Sequence, residues 1–258
     1  MKIRILILAF SLAILAGCQS DADDPDGRMD QHLEVADADD SEGQDETDSL
    51  IVLDVFEDSL HIGRSGKNKV VSTLLRCPDS AYVVTEFFSR EGGEWQLKNH
   101  YEIRQIGPAD PFFMTEDYTN DGFPDYLYQG LQAARLSNLV FRLFVYSSSG
   151  DSLVCIHNST SYPNLEYNET LDCISSYAFT GTWHQSFHRI QGDSLATFAW
   201  ITVESIDSIG VYEVSPEGEF ILLQRTANDY EPYPYFSNYN PLVVYEPGEG
   251  DDSVKLPE

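Results

Sequence analysis

Apolar and polar residues alternate along the segment 95–103. The apolar positions are Trp95, Leu97, Tyr101 and Ile103, and the polar positions between them are Gln96, Lys98, His100 and Glu102. A period of two is typical of a strand with one buried face. An apolar run at 81–88 precedes this segment, and the pair Gly92-Gly93 stands between the two. The sequence therefore predicts a β-hairpin here.

Short apolar runs separated by turn residues continue through the middle of the chain. They lie at 125–128, 139–146, 153–157, 187–190, 196–204, 211–214, 220–224 and 243–245. Only 69–76 and 129–136 look helical, and both are short. The pattern predicts an all-β fold, mainly antiparallel, arranged as a sandwich, a barrel or a propeller-like sheet. No repeat has a fixed period, which argues against a multi-blade propeller.

The chain is strongly acidic, with a formal net charge of −28 over 258 residues. The segment 21–48 holds 13 acidic residues and the single base Arg28. It has no aromatic residue, so it cannot offset its ordering entropy by burial, and we expect a disordered tether. We also expect no nucleic-acid partner, because such binding needs Lys and Arg to neutralise phosphates.

The N-terminus has the features of a processing segment. Lys2 and Arg4 precede an apolar run at 5–15, which is too short for a permanent membrane span and suits a signal peptide. The run ends in Leu-Ala-Gly-Cys at Cys18, which resembles the lipobox of bacterial lipoproteins. The resemblance implies cleavage before Cys18 and anchoring in a membrane through acyl chains on its thiol. The resemblance also implies the outer membrane of a Gram-negative bacterium, on its periplasmic or cell-surface face, because Gln19 stands where Asp would signal retention in the inner membrane.

These features predict four regions. Residues 1–17 form the lipoprotein signal peptide, 18–48 the acidic tether, 49–245 a single β domain, and 246–258 an acidic flexible tail. Once Cys18 is lipidated, Cys77, Cys155 and Cys173 remain, and the sequence allows three pairings. A disulfide between Cys155 and Cys173 is favoured, because they are 18 residues apart and flank a loop-like stretch.

The segment 117–125, Asp-Tyr-Thr-Asn-Asp-Gly-Phe-Pro-Asp, carries the most specific motif in the chain. Oxygen-bearing side chains stand at its positions 1, 3, 5 and 9, with Gly122 at position 6, and calcium prefers six to eight oxygen ligands. The predicted ligands are Asp117, Thr119, Asp121, Asp125 and the backbone carbonyl of Phe123. The segment is not an EF-hand, because Tyr128 stands where that motif has its Glu.

The loop resembles the acidic loops of FG-GAP-type β proteins, although Thr119 replaces their usual Asn or Asp. The loop and the features that follow it also resemble a family of bacterial envelope β proteins with a single such loop. Some members of that family inhibit lysozyme-like peptidoglycan hydrolases and serve as immunity proteins. The resemblance implies a calcium cofactor and a protein partner in the envelope, and no inhibitory residue can be assigned from it.

Two patterns associated with enzymes have simpler structural explanations. The sequence Gly-Asp-Ser-Leu at 150–153 and 192–195 resembles the nucleophile block of a lipase family, but both copies stand where hairpin turns are expected. His184 and His188 have the four-residue spacing of helical metal ligands, but the pattern around them predicts a strand, and we expect surface histidines. We therefore do not expect an enzyme, and a hydrolase using Ser152 or Ser194 stays as an alternative.

The segment 230–239 is rich in aromatic residues and prolines. Its aromatic residues are Tyr230, Tyr233, Tyr235, Phe236 and Tyr239. We expect them to pack against the domain, because aromatic side chains are usually buried. If they were exposed they could bind sugar rings, and a surface glycan-binding lipoprotein is therefore the first alternative to a protein-binding function.

Overall fold

The computed structural model describes residues 50–77, 80–105, 112–134, 137–230 and 233–246. The predicted signal peptide, Cys18, the tether and residues 247–258 lie outside these ranges. Within them the chain forms sixteen strands and a 3-10 turn at Ser159–Ser161. The all-β prediction is confirmed. No helix in this part of the chain is long and apolar enough to cross a bilayer.

The strands form four antiparallel sheets in which sequence neighbours pair. Sheet 1 contains β1 (Ile51–Asp58), β2 (Asn68–Cys77), β3 (Ser80–Glu91) and β4 (Glu94–Gln105). Sheet 2 contains β5 (Phe113–Glu116), β6 (Asp125–Ala133), β7 (Asn138–Ser147) and β8 (Ser152–Cys155). Each of these sheets is a simple meander, because strands that are adjacent in sequence pair side by side.

Sheet 3 is the largest, with six strands in the order β14-β13-β12-β11-β10-β9. Its members are β9 (Glu166–Asn168), β10 (Cys173–Phe179), β11 (Trp183–Gln191), β12 (Ser194–Ser205), β13 (Ser208–Val214) and β14 (Phe220–Ala227). Sheet 4 is the hairpin of β15 (Phe236–Tyr239) and β16 (Leu242–Val244). The apolar run at 243–245 therefore contributes a strand, largely as predicted.

Sheet 2 is buried on both faces because it packs against sheet 1 on one side and sheet 3 on the other. Along β6, Tyr126 and Tyr128 belong to a cluster with Val70 and Phe87 of sheet 1. Leu127 points the opposite way, into a cluster that includes Ile174 of sheet 3. Successive strand residues face opposite sides of a sheet, so this short run of three bulky residues serves two cores.

Sheet 3 uses its other face for a third core, which sheet 4 covers. The buried members of sheet 3 are Cys173, Trp183, Phe187, Ala199, Ile201, Ile209 and Val211. Phe236 of β15 lies edge-on to Trp183, with ring centroids 5.6 Å apart. The aromatic C-terminal segment therefore closes this core, as the sequence predicted.

In the part of the chain that the structure describes, the two segments with a helical appearance are mainly strand, which corrects that expectation; residues 135 and 136 lie outside the described ranges. Residues 69–76 lie within β2, where Asn68, Val70, Ser72 and Leu74 are buried and the residues between them are partly exposed. This burial has a period of two, and β-branched residues in the segment favour the extended backbone. Residues 129–133 continue β6.

Candidate functional site

The predicted calcium loop connects β5 to β6, whose last and first residues, Glu116 and Asp125, are paired across the sheet. Asn120 has a φ of 54° and Gly122 a φ of 83°, so the chain twice adopts the left-handed conformation. Glycine and asparagine tolerate that conformation best. The loop is thus tightly wound, as the motif predicted.

Asp117 organises the first half of the loop. Its carboxylate accepts hydrogen bonds from the backbone amides of Asp121, at 3.2 Å, and Gly122, at 2.9 Å. The hydroxyl of Thr119 lies 3.4 Å from the same carboxylate. A short acidic side chain that caps the amides following it is a common way to wind a turn.

Asp125 organises the second half from a fully buried position. Its carboxylate accepts the backbone amide of Tyr118 at 3.0 Å and that of Tyr146 at 2.8 Å. Burial raises the pKa of Asp125 to about 7, and the charges of Asp117 and Asp121 add to the rise, although the two amides oppose it. The Asp125 carboxyl therefore keeps its proton to a higher pH than an ordinary aspartate.

The structure brings three of the five predicted ligands close together. The Thr119 hydroxyl lies 3.4 Å from both the Asp117 and Asp125 carboxylates. The Asp121 carboxylate instead accepts the backbone amide of Phe123 at 2.9 Å. In the described residues, no group of three or more His, Cys, Asp or Glu side chains converges as a metal site. The oxygen-only donors fit the chemistry of a hard cation such as calcium.

Phe123 is positioned by its side chain as well as by the loop. Its ring packs edge-on to Tyr146 with centroids 5.6 Å apart, and the Arg64 guanidinium lies 5.9 Å above it. The neighbouring residue Pro124 accepts the Gly63 amide at 2.9 Å. The loop is therefore connected to the β1–β2 connection, a contact that the sequence pattern does not indicate.

Asp172 is a further acid beside the loop, and the sequence analysis did not identify it. Its carboxylate accepts hydrogen bonds from the Tyr167 hydroxyl at 2.7 Å and the Asn120 amide at 3.3 Å. These bonds, that of Tyr167 first, lower its pKa below the usual value. It stands between β9 and β10, about fifty residues from the loop, and no local signal could have paired the two segments.

The structure does not form the disulfide expected between Cys155 and Cys173, and both are buried free thiols. Cys155 belongs to the core between sheets 1 and 2, and Cys173 to the core beneath sheet 4. The chain between them crosses from sheet 2 to sheet 3, so proximity in sequence does not bring the thiols together. Burial raises the pKa of Cys173 to about 12, which keeps its thiol protonated.

The histidine pair lies on strand β11, as predicted, but His188 is fully buried, which corrects the expectation of a surface residue. Its ring nitrogens lie 2.9 Å from the Ser186 hydroxyl and 3.0 Å from the Thr197 hydroxyl. Burial lowers its pKa to about 3. His184 stacks on Trp200 with ring centroids 4.4 Å apart.

Both Gly-Asp-Ser-Leu copies lie at hairpin turns, as predicted, one between β7 and β8 and one between β11 and β12, and the serine of each copy begins the second strand of its hairpin. Ser194 donates to its neighbour Asp193 at 3.2 Å. Within the described ranges, neither Ser152 nor Ser194 is hydrogen-bonded to a histidine. The geometry therefore gives neither serine the partner that a nucleophile requires.

The aromatic C-terminal segment is mostly packed against the domain. Phe236 is buried, and the Tyr235 hydroxyl lies 2.5 Å from that of Ser175. Tyr239 packs against Phe187 with ring centroids 5.7 Å apart. Tyr233 alone among the five predicted aromatic residues is largely exposed, so the segment does not offer a continuous platform for sugar rings.

Comparison with known proteins shows little similarity. No protein-family model matches the chain, and no curated protein matches it significantly. Among solved structures, a Xanthomonas type IV secretion system related protein is similar over 71% of this chain and 97% of its own, with a TM-score of 0.40 and 10% sequence identity.

Proposed function

We propose that this chain is a lipid-anchored cell-envelope protein whose calcium-stabilised β domain binds and inhibits a lysozyme-like peptidoglycan hydrolase. Three features support the proposal: the lipobox resemblance at Cys18, the FG-GAP-type loop, and an exposed apolar strand in an acidic domain. The last of these carries the protein-binding part of the proposal.

That strand is β14, which pairs only with β13 among the described strands and so forms an edge of sheet 3. Four consecutive bulky residues of β14 are exposed, Phe220, Ile221, Leu222 and Leu223, with exposed fractions from 57% down to 37%. An exposed apolar edge strand is a template for strand addition and is usually protected in isolated proteins. We name this exposed segment the β14 surface.

Aromatic side chains of the neighbouring strands extend the β14 surface across the face of sheet 3 that is opposite to the core covered by sheet 4. Phe220 packs edge-on to Trp200 and to Tyr212, with ring centroids 5.8 Å and 6.2 Å apart. Tyr212 is paired with Leu222 across the strands, so both residues lie on this face. Tryptophan and tyrosine are enriched among the residues that dominate binding energy in protein interfaces.

The charges around the β14 surface favour a basic partner. Glu217 and Glu219 precede the strand and Asp229 follows it, and all three are exposed. Arg225, within the strand, is paired with Glu204. A second copy of the chain pairing antiparallel to β14 would place these acids near one another, and like charges opposed across strands are destabilising. A basic enzyme would instead be attracted by the net charge of −28.

Calcium has a structural role in this proposal. Asp117, Thr119, Asp121, Asp125 and the carbonyl of Phe123 would hold the ion. When bound, it would supply the positive charge that neutralises these carboxylates. The residues themselves fix the loop between β5 and β6 through the amides of Tyr118, Gly122 and Tyr146. The tether 18–48 would let the domain reach partners beyond the membrane surface.

The test is inhibition of peptidoglycan cleavage by basic lysozyme-type hydrolases, measured with the full chain and calcium present. We expect saturable inhibition that weakens as salt is raised, because steering by charge is screened. Phe220→Ser and Leu222→Ser should each weaken binding about tenfold or more.

The matched control is Leu97→Ser, since Leu97 is a similarly exposed residue on β4, an edge strand of sheet 1. It should leave inhibition unchanged, and all variants should keep the melting temperature of the parent chain. Absence of binding to every hydrolase in calcium would refute the proposed function. Equal weakening by the control would refute the assignment to the β14 surface.

A further inference from the structure

A cavity of about 230 Å³ opens between the end of β4 and the strands β6 and β7. Its polar lining consists of Arg104, Gln105, Tyr128, Arg142 and Thr160, and its apolar lining includes Ile103 and Val140. It is separate from the acidic loop and from the β14 surface, because none of their residues lines it.

Two polar atoms at this cavity are buried without a hydrogen-bond partner, the hydroxyl of Tyr128 and Nε of Arg142. Tyr128 is 1% exposed, so its hydroxyl has lost its contact with water, and the polar group beside it is the Arg142 guanidinium. A buried polar group left without a partner is destabilising, and such groups in folded proteins call for an explanation. A ligand that accepts hydrogen bonds would satisfy both atoms once the two side chains turn toward the cavity.

The cavity is also unusual in its charge. The chain has 43 acidic residues and 15 basic ones, yet the cavity is lined by two arginines and no acid. No carboxylate of the described residues forms an ion pair with Arg104 or Arg142. Arg142 donates to the backbone carbonyl of His157, at 3.2 Å, on its exposed side. A positive site without a carboxylate, in so acidic a protein, is suited to an anion from outside.

The remaining lining identifies the class of anion. The side-chain amide of Gln105 donates a hydrogen bond to the carbonyl of Gly130 at 2.8 Å. This bond fixes the Gln105 side chain at the end of β4, beside the cavity. Ile103 and Val140 present apolar surface beside the guanidinium groups. A planar carboxylate can accept two parallel bonds from a guanidinium while an apolar group attached to it covers these walls.

We propose that this cavity binds a carboxylate carried on an apolar body, with Arg142 and Arg104 as the charged partners and the Tyr128 hydroxyl as an additional donor. This site goes beyond the proposed inhibitory function and does not depend on it. A free small molecule and the C-terminus of a peptide both present this chemistry.

The test is a titration of the full chain with N-acetyl-leucine, followed by amide chemical shifts. N-acetyl-leucinamide is the matched probe, since it keeps the apolar body and lacks the carboxylate. We expect saturable shifts confined to residues around β4, β6 and β7 for the acid and none for the amide. A short peptide ending in leucine, with a free or an amidated C-terminus, distinguishes the two sources of the carboxylate.

Variants separate the proposed contacts from general effects on folding. Arg104→Gln and Tyr128→Phe should weaken binding of the acid, the arginine variant about tenfold or more. Arg76→Gln, an exposed arginine on β2, should leave it unchanged. Equal binding of acid and amide, shifts elsewhere in the domain, or no saturation by either form would overturn the proposal. Stronger binding of inorganic phosphate than of the carboxylates would overturn the assigned class.

Discussion

The hydroxyl of Tyr146 donates a hydrogen bond to the carboxylate of Asp151 at 2.8 Å. Asp151 belongs to the first Gly-Asp-Ser-Leu copy, and it also accepts bonds from Asn68, at 2.9 Å, and from Ser89. Burial acts to raise the pKa of Asp151, but the bonds from Ser89, Asn68 and Tyr146 outweigh it and hold the pKa below its usual value. This turn residue therefore joins sheet 2 to strands β2 and β3 of sheet 1.

Asp151→Ala should destabilise the domain by about 2 kcal/mol or more, because three donors lose their acceptor. The second copy supplies the control, since Asp193 has an exposed side chain that pairs with His157 at 3.4 Å. Asp193→Ala should change stability by no more than about 0.5 kcal/mol. Urea unfolding measures both, and equal losses would show that Asp151 does not have the connecting role assigned to it.

Two glycines of the β1–β2 connection provide a comparison of backbone strain with packing. Gly63 and Gly66 have φ values of 51° and 68°. A Cβ at Gly63 would lie 2.8 Å from Asn68 Oδ1 and 3.0 Å from the Tyr146 ring, whereas a Cβ at Gly66 would meet nothing within 4 Å.

Gly66→Ala should cost about 1 kcal/mol, from the left-handed conformation alone. Gly63→Ala should cost roughly 1–3 kcal/mol more, because the methyl group overlaps two buried side chains. Thermal or urea unfolding of the two variants gives the difference directly. Equal stabilities would mean that the contact between this connection and β7 is looser than described.

The pattern of the sequence determines most of the strands and several turns. Period-two alternation identified β4, and Gly92-Gly93 connects it to β3 as expected. The stacking of the sheets was not predictable from the sequence. In the sequence there is one apolar run at 126–128, and only the fold places Tyr126 and Tyr128 in one core and Leu127 in another. A local pattern reports which residues are apolar but not which sheet each face contacts.

The candidate site was predictable only within its own loop. The spacing from Asp117 to Asp125 gave the wound turn, but Asp172 reaches it through pairing of distant strands. The burial of His188 was also missed, because its hydroxyl partners Ser186 and Thr197 make a polar ring acceptable inside a sheet, and their polarity suggested a surface.

The buried His188 predicts that acid destabilises the domain. The unfolded chain binds a proton at this residue below its ordinary pKa of 6.5, whereas the folded protein does not until about pH 3. The contribution of His188 to stability is therefore complete above pH 6.5 and falls as the pH decreases toward 3, by about 1.36 kcal/mol per pH unit.

His188→Gln removes the titrating group and can keep hydrogen bonds to neighbouring hydroxyls. Between pH 4 and 6, the unfolding free energy of this variant should change with pH less steeply than that of the parent chain. The two slopes should differ by about 1.36 kcal/mol per pH unit, the contribution of one bound proton. His100→Gln is the control, since His100 is exposed on β4. Parallel pH profiles for the parent and His188→Gln would contradict a buried neutral imidazole.

The central claim is that calcium holds together the carboxylates between β5 and β6, and thermal melting in calcium and in EDTA tests it most directly. Calcium at a hundred times its Kd should stabilise the domain by about 2.7 kcal/mol, raising Tm by roughly 5–10 °C. Asp121→Ala should abolish the response, whereas Asp193→Ala should retain it. Identical melting of the parent chain in calcium and in EDTA would contradict the claim.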